Sequence, residues 1–141
     1  MSSVVKAILL AAVFVVFASA QKPYPATCGD LLAELHKKPE HLKFLECKPH
    51  PDDQTKPLVA EYRVEGIYAE AVERYLLKTF VPASNQKDCC ASAPQQPSVT
   101  FDWKGKTYDL AFRADELGTR TRAQRLKVPH FVTFSRQMEQ P

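Results

Sequence analysis

The clearest alternation of apolar and polar residues lies in LVAEYRVEG, residues 58–66. Apolar side chains recur at every second position, and mostly charged residues occupy the positions between them. A period of two predicts a strand with one buried face and one solvated face. The apolar members are Leu58, Ala60, Tyr62 and Val64.

Helical spacing follows in IYAEAVERYLLKTF, residues 67–80, where apolar residues recur three and four positions apart. On the polar side of this helix, Glu70 stands four residues before Arg74, the order that favours an ion pair. A shorter helix is predicted in TCGDLLAELHKKP, with Thr27 as a capping residue and Pro39 as the stop.

The segment HLKFLECKP predicts another strand. Strict alternation would place Leu42, Phe44 and Glu46 on one face and Leu45 with Cys47 on the other.

The segment SVTFDWKGKTYDLAF predicts a hairpin that turns at Lys104-Gly105, because the apolar residues then face one another. The predicted pairs are Phe101 with Tyr108, Val99 with Leu110, and Asp102 with Thr107. A charged connection follows, with a helical turn near Asp115–Leu117, and PHFVTFSRQM predicts the last strand. The element order favours an α+β fold, a largely antiparallel sheet of about five strands with two helices packed on one face.

The amino terminus has the pattern of an export signal. Lys6 precedes an apolar run that ends in small residues, and this run is short for a membrane span. Residues 1–20 are therefore predicted to be a cleavable signal peptide and residues 21–141 a single domain, periplasmic or secreted, with no stable membrane insertion after cleavage.

Charge is nearly balanced after that segment. Removing residues 1–20 removes only Lys6 from the 19 basic residues, so the net charge falls from +3 to +2. This balance argues against nucleic acid as the main partner. No pattern for a cofactor, a phosphate-binding loop or a nucleophile elbow occurs, and no enzyme activity is predicted.

Four cysteines follow the signal, and an even number in an exported chain predicts two disulfides. The preferred pairing is crossed, with Cys28 and Cys47 each bonded to one member of the adjacent pair Cys89-Cys90, since neighbouring side chains of an extended segment point to opposite faces. The alternatives are a Cys28–Cys47 bond beside a vicinal bond, and a redox-active pair. Ligand spacing does not favour a zinc site.

The most basic stretch, GTRTRAQRLK, is interpreted either as a solvated loop or as a docking surface for an acidic protein partner. The aromatic Trp103 near the hairpin turn is either a lid over the core or an interface anchor. The candidate partner-binding residues are Trp103, Arg120, Arg122, Arg125 and Lys127.

The stretches CGDLL, KPEHLKFLEC, AEYRVEGIYAEAVERYLLKTF and CC together resemble a domain-of-unknown-function family of small exported bacterial proteins. The matching positions are Cys28, Lys38-Pro39, Leu42, Phe44, Cys47, Tyr62-Arg63-Val64, Gly66, Ala69 or Ala71, Val72-Glu73, Tyr75-Leu76 and Cys89-Cys90. The chain departs from the family at NQKDCCASAP, where relatives have an apolar strand before the pair and an aromatic residue after it. The resemblance implies a periplasmic, cysteine-stapled α+β domain and supplies no activity.

The sequence thus favours a non-enzymatic binding module of the bacterial envelope, of the inhibitor or immunity type. The alternatives are a thiol-dependent redox sensor or enzyme that uses Cys89-Cys90, and a carrier of a small ligand held between sheet and helices.

Overall fold

The computed structural model describes residues 24–25, 27–82, 98–114 and 121–138. The predicted signal peptide, Cys89-Cys90, the turn near Asp115–Leu117 and Arg120 lie outside these residues. The described elements are α1 (Leu31–Glu34), β1 (Lys43–Pro49), β2 (Leu58–Val64), α2 (Gly66–Phe80), β3 (Ser98–Trp103), β4 (Lys106–Ala114), α3 (Arg122–Arg125) and β5 (His130–Arg136).

The five strands form one antiparallel sheet in the order β1-β2-β5-β4-β3, so the α+β prediction is confirmed. The last strand, β5, enters the centre between β2 and β4. The sheet is therefore completed only when the chain has reached residue 136.

One face of the sheet carries the core. The alternating residues of β2, buried to 2% exposure or less, share this face with Val132 and Phe134 of β5. Both α1 and α2 contribute buried side chains to the same core cluster. Phe80 near the end of α2 packs against Phe101 and Phe134, with ring centroids 5.5 and 5.3 Å apart. Aromatic rings thus fill this part of the sheet–helix layer.

The predicted hairpin register is confirmed at all three pairs. Its turn uses Lys104 and Gly105, which have φ of 50° and 74°. Positive φ at both central residues is the geometry of the two-residue turn whose twist matches that of the flanking strands.

The predicted faces of β1 are wrong beyond Phe44. The register against β2 shifts between Phe44 and Glu46, so Leu45 is an extra residue. Phe44 and Cys47 pair with Tyr62 and Ala60 and therefore share the covered face, while Glu46 is exposed. A bulge inverts the alternation beyond it, which strict alternation did not anticipate.

The predicted cap of the first helix is also wrong. Asp30, rather than Thr27, is the N-cap, and its Oδ1 accepts from the backbone N–H of Ala33. The same oxygen accepts from the hydroxyl of Tyr62 at 2.9 Å, and that hydroxyl accepts from the N–H of Leu32 at 3.0 Å. The helix therefore starts where a strand side chain anchors it.

The crossed cysteine pairing is wrong as well, because Cys28 is bonded to Cys47 with their Cα atoms 5.4 Å apart. The bulge turns Cys47 toward the covered face, where Tyr62 holds the start of α1 and the preceding Cys28. The bond therefore staples α1 to the edge strand.

Candidate functional site

The described part of the basic stretch contains a short helix, α3, that the sequence interpretation missed. Thr121 caps α3, accepting from the N–H of Gln124, while the side chain of Gln124 accepts from the N–H of Thr121. This reciprocal capping box was visible as T-x-x-Q in the sequence. A four-residue helix with no buried residue shows no apolar period, however, so pattern alone did not find it.

The segment after α3 lies directly against the first residue of α2. A Cβ at Gly66 would come within 2.4 Å of the carbonyl oxygen of Arg125, 2.7 Å of that of Leu126 and 2.5 Å of that of Val128. Only a glycine permits so close a backbone approach without displacement. His130 reinforces this contact, because its Nε2 lies 2.9 Å from the carbonyl oxygen of Arg125. The position of α3 relative to α2 is thereby fixed.

The predicted pairing of Glu70 with Arg74 is replaced by a longer-range one. Both nitrogens of the Arg122 guanidinium fork donate to the two carboxylate oxygens of Glu70, at 3.0 and 2.9 Å. The hydrogen bonds and charge of Arg122 hold the pKa of Glu70 below its usual range. Arg74 is left exposed, without an ion pair to any described residue.

A shallow groove of about 470 Å³ lies between α2 and α3, and we call it the α2–α3 groove. Its lining residues are Glu70, Glu73, Arg74, Leu77, Lys78 and Arg125. Burial raises the pKa of Glu73, against the opposing positive charges of Arg125 and His130 and with the added repulsion of Glu70. The groove thus holds one carboxylate paired with Arg122, one whose pKa is raised by burial, and three cations.

The predicted partner-binding residues separate into distinct places. Arg122 is engaged with Glu70, Arg125 lines the groove, and Lys127 is exposed just beyond α3. Arg120 lies outside the described residues. Trp103 is half-buried, with its ring 5.3 Å from that of Phe80, so its contacts are those of a lid over the core.

Within the described ranges, no group of three or more His, Cys, Asp or Glu side chains is arranged to hold a metal ion. None of the helices in the described part of the chain has the length and hydropathy of a membrane span.

Comparison with known proteins gives one family. No curated protein and no solved structure matches the chain. The sequence profile of a domain of unknown function, DUF4952, matches residues 17–92, just over half of the chain. The match includes β1, β2 and α2 and ends before β3, so α3 and the central strand β5 lie beyond it. The predicted membership in a domain-of-unknown-function family is confirmed, and the chain belongs to DUF4952.

Proposed function

We propose that this chain is an exported, non-enzymatic binding module that docks an acidic protein partner through the α2–α3 groove. One observation carries the proposal: Arg74, Lys78 and Arg125 surround a groove without ion pairs to the described residues. Arg122 occupies both carboxylate oxygens of Glu70, so Arg74 acts on that carboxylate only through its charge, which together with that of Arg125 further lowers the pKa of Glu70. Unpaired cations on one surface attract an acidic partner and orient it on approach.

The composition of the groove supports binding rather than catalysis. Of the residues that line it, none is a serine, cysteine or histidine. Acid–base catalysis by Glu73, whose pKa is raised, would need a second carboxylate that is free to exchange a proton. The neighbouring Glu70 is not free, because both of its oxygens accept hydrogen bonds from Arg122. Glu70 is therefore a structural member of the site, and the cations are its recognition elements.

The test begins with photo-crosslinking in cells that export the protein. A photoreactive residue at Lys78 should crosslink one partner, and the same residue at Thr100, on the uncovered sheet face, should not. With the purified protein and its partner, the double variant Arg74→Glu with Arg125→Glu should raise the Kd by more than about tenfold. The matched charge change Lys43→Glu with Lys104→Glu, on exposed residues outside the groove, should leave it unchanged. A partner that crosslinks equally from Thr100, or binds both double variants equally, would refute the proposal.

A thiol-dependent function is the second candidate, favoured by the Cys28–Cys47 bond. Because the chain has four cysteines and Cys28 is bonded to Cys47, Cys89 and Cys90 can form a disulfide within the chain only with each other. They are therefore two thiols, a vicinal bond or a link to another molecule. Alkylation and intact-mass measurement of the exported protein distinguishes these states, and a pair that stays in one state under both mild oxidant and mild reductant would exclude the redox function.

A further inference from the structure

Two exposed apolar side chains flank the contact between α2 and the segment after α3. Ile67 is 63% exposed and Leu126 is 37% exposed. The carbonyl of Leu126 abuts Gly66, the residue before Ile67, so both side chains project from backbone that is in contact. An isolated exposed apolar residue needs no explanation. Here two exposed apolar side chains lie next to the same backbone contact, near cations that form no ion pair with the described residues. We treat them as one surface.

The cations continue from this apolar pair along α2. At a rise of 1.5 Å per residue, Arg74 lies about 10 Å and Lys78 about 16 Å along the helix axis from Ile67. Arg125, from α3, lies on the groove side of the same stretch. The two apolar side chains therefore lie near the start of α2, where the backbone of Arg125 also lies, and Arg74 and Lys78 extend the basic surface along the helix.

We propose that the occupant of the α2–α3 groove is an amphipathic acidic protein segment. Its apolar side chains pack on Ile67 and Leu126, and its carboxylates pair with Arg74, Lys78 and Arg125. The inference rests on the proposed function and adds the partner's pattern. In a helical segment, the carboxylates stand about 7 and 11 residues from the apolar anchor, matching the offsets of Arg74 and Lys78 from Ile67.

The charges of the groove favour such a segment over an anionic lipid surface. Glu70 and Glu73 lie among the cations, and the headgroups of a continuous anionic surface would be forced against them. A discrete segment places its few carboxylates opposite the cations and avoids these two groups. These unfavourable contacts therefore disfavour binding to an anionic lipid surface.

The probe is a synthetic alanine-based helical peptide with two leucines at one end and glutamates 7 and 11 residues further along. Binding is measured by fluorescence anisotropy, beside a peptide that carries lysines at the glutamate positions. The glutamate peptide should bind at least about tenfold more tightly than the lysine peptide. Ile67→Ser with Leu126→Ser should weaken its binding about tenfold, as should Arg74→Glu with Arg125→Glu.

The matched control is Met138→Ser, which removes another exposed apolar side chain, 40% exposed, outside the groove. Equal denaturation midpoints would show that the variants are folded. If the charge variants weaken binding while the Ile67 and Leu126 variant does not, the amphipathic pattern is refuted and the proposed function stands. Binding that ignores the groove charges refutes both. Capture by phosphatidylglycerol vesicles that depends on Ile67 and Leu126, and that the glutamate peptide does not inhibit, also refutes this inference.

Discussion

The two shortest helices in the described part of the chain have opposite roles. Both α1 and α3 are four residues long, and both begin at a residue whose side chain caps the helix. Helix α1 buries Leu31 and Leu32, whereas α3 buries no residue. Because isolated helices of this length are unstable in water, each depends on tertiary contacts. Helix α1 obtains them from the core, and α3 from a backbone contact and surface charges.

The charged residues of the two helices differ in the same way: the one at α1 is satisfied within the fold, and those of α3 are exposed. Asp30, at the start of α1, is enclosed by hydrogen bonds from Lys38, Tyr62 and the backbone. In α3, Arg122 forms one exposed pair, and Arg125 faces the open groove. Polar groups satisfied within the fold specify structure, while unpaired exposed cations remain for a partner. Substitutions near α1 should therefore change stability, and those near α3 should change binding.

The largest effect should come from Leu32→Ala, because this leucine is 0% exposed. Removing it should lower the free energy of unfolding by about 2–5 kcal/mol through lost burial and the cavity that remains. Leu126→Ala, beside α3, should change it by less than about 0.5 kcal/mol, since the side chain already contacts solvent. Urea denaturation of the oxidised protein measures both. Similar losses would erase the distinction between the two helices.

The second-largest effect should come from removing the Cys28–Cys47 disulfide. Cys28 and Cys47 are 19 positions apart, and closing a loop of this size contributes about 3 kcal/mol in the chain-entropy account. The variant Cys28→Ser with Cys47→Ser should lose about that much stability in urea denaturation. Cys89→Ser with Cys90→Ser is the matched control, and peptide mapping should still find the Cys28–Cys47 bond in it. If the Cys28–Cys47 bond is missing in this control, the result would support the crossed pairing of these cysteines with Cys89 and Cys90.

Local patterns predicted most of this fold. The hairpin register followed from matching apolar partners, and the period of two in residues 58–64 identified a buried strand face. The errors arose where a tertiary contact overrides the local pattern. The bulge at Leu45 reverses the faces of β1, and the docking of Tyr62 selects Asp30 as the cap. Both depend on residues that are distant in the sequence.

The candidate site was predicted only in part. Composition identified Arg122 and Arg125 as members of a basic stretch, but not Arg74 as a member of the same surface. Arg74 was expected to pair with Glu70, and only the approach of Arg122, 52 residues further along, shows that this carboxylate is already occupied. A surface assembled from separate segments needs the fold to reveal it.

A smaller effect is expected from Asp30→Asn. Burial of Asp30 would raise its pKa, but hydrogen bonds from Lys38, Ala33 and Tyr62, together with the charge of Lys38, hold that pKa below its usual range. A depressed pKa adds stability above the unfolded value of about 3.9, and this stability is lost as the pH falls through the folded pKa.

The variant should therefore be less stable than the natural protein by about 1 kcal/mol at pH 7 and should approach it in acid. Urea denaturation midpoints at several pH values provide the comparison. Asp102→Asn, at an exposed position of β3, is the control. A difference between Asp30→Asn and the natural protein that is constant with pH would contradict the assigned cause.

The smallest effect, of opposite sign, is expected at the groove from Glu73→Gln. Burial raises the pKa of Glu73 despite the attraction of Arg125 and His130, and Glu70 adds repulsion. The stability associated with protonated Glu73 is present below the unfolded value of about 4.3 and is lost as the pH rises through the folded pKa. Glutamine does not ionise, so the variant should be more stable than the natural protein at pH 7 by roughly half a kcal/mol, a small gain because the side chain is partly solvated. The difference should vanish near pH 4, the reverse of Asp30→Asn. Destabilisation at pH 7 would show instead that Glu73 holds the groove cations in place, and α3 would then belong with α1 among the structural elements.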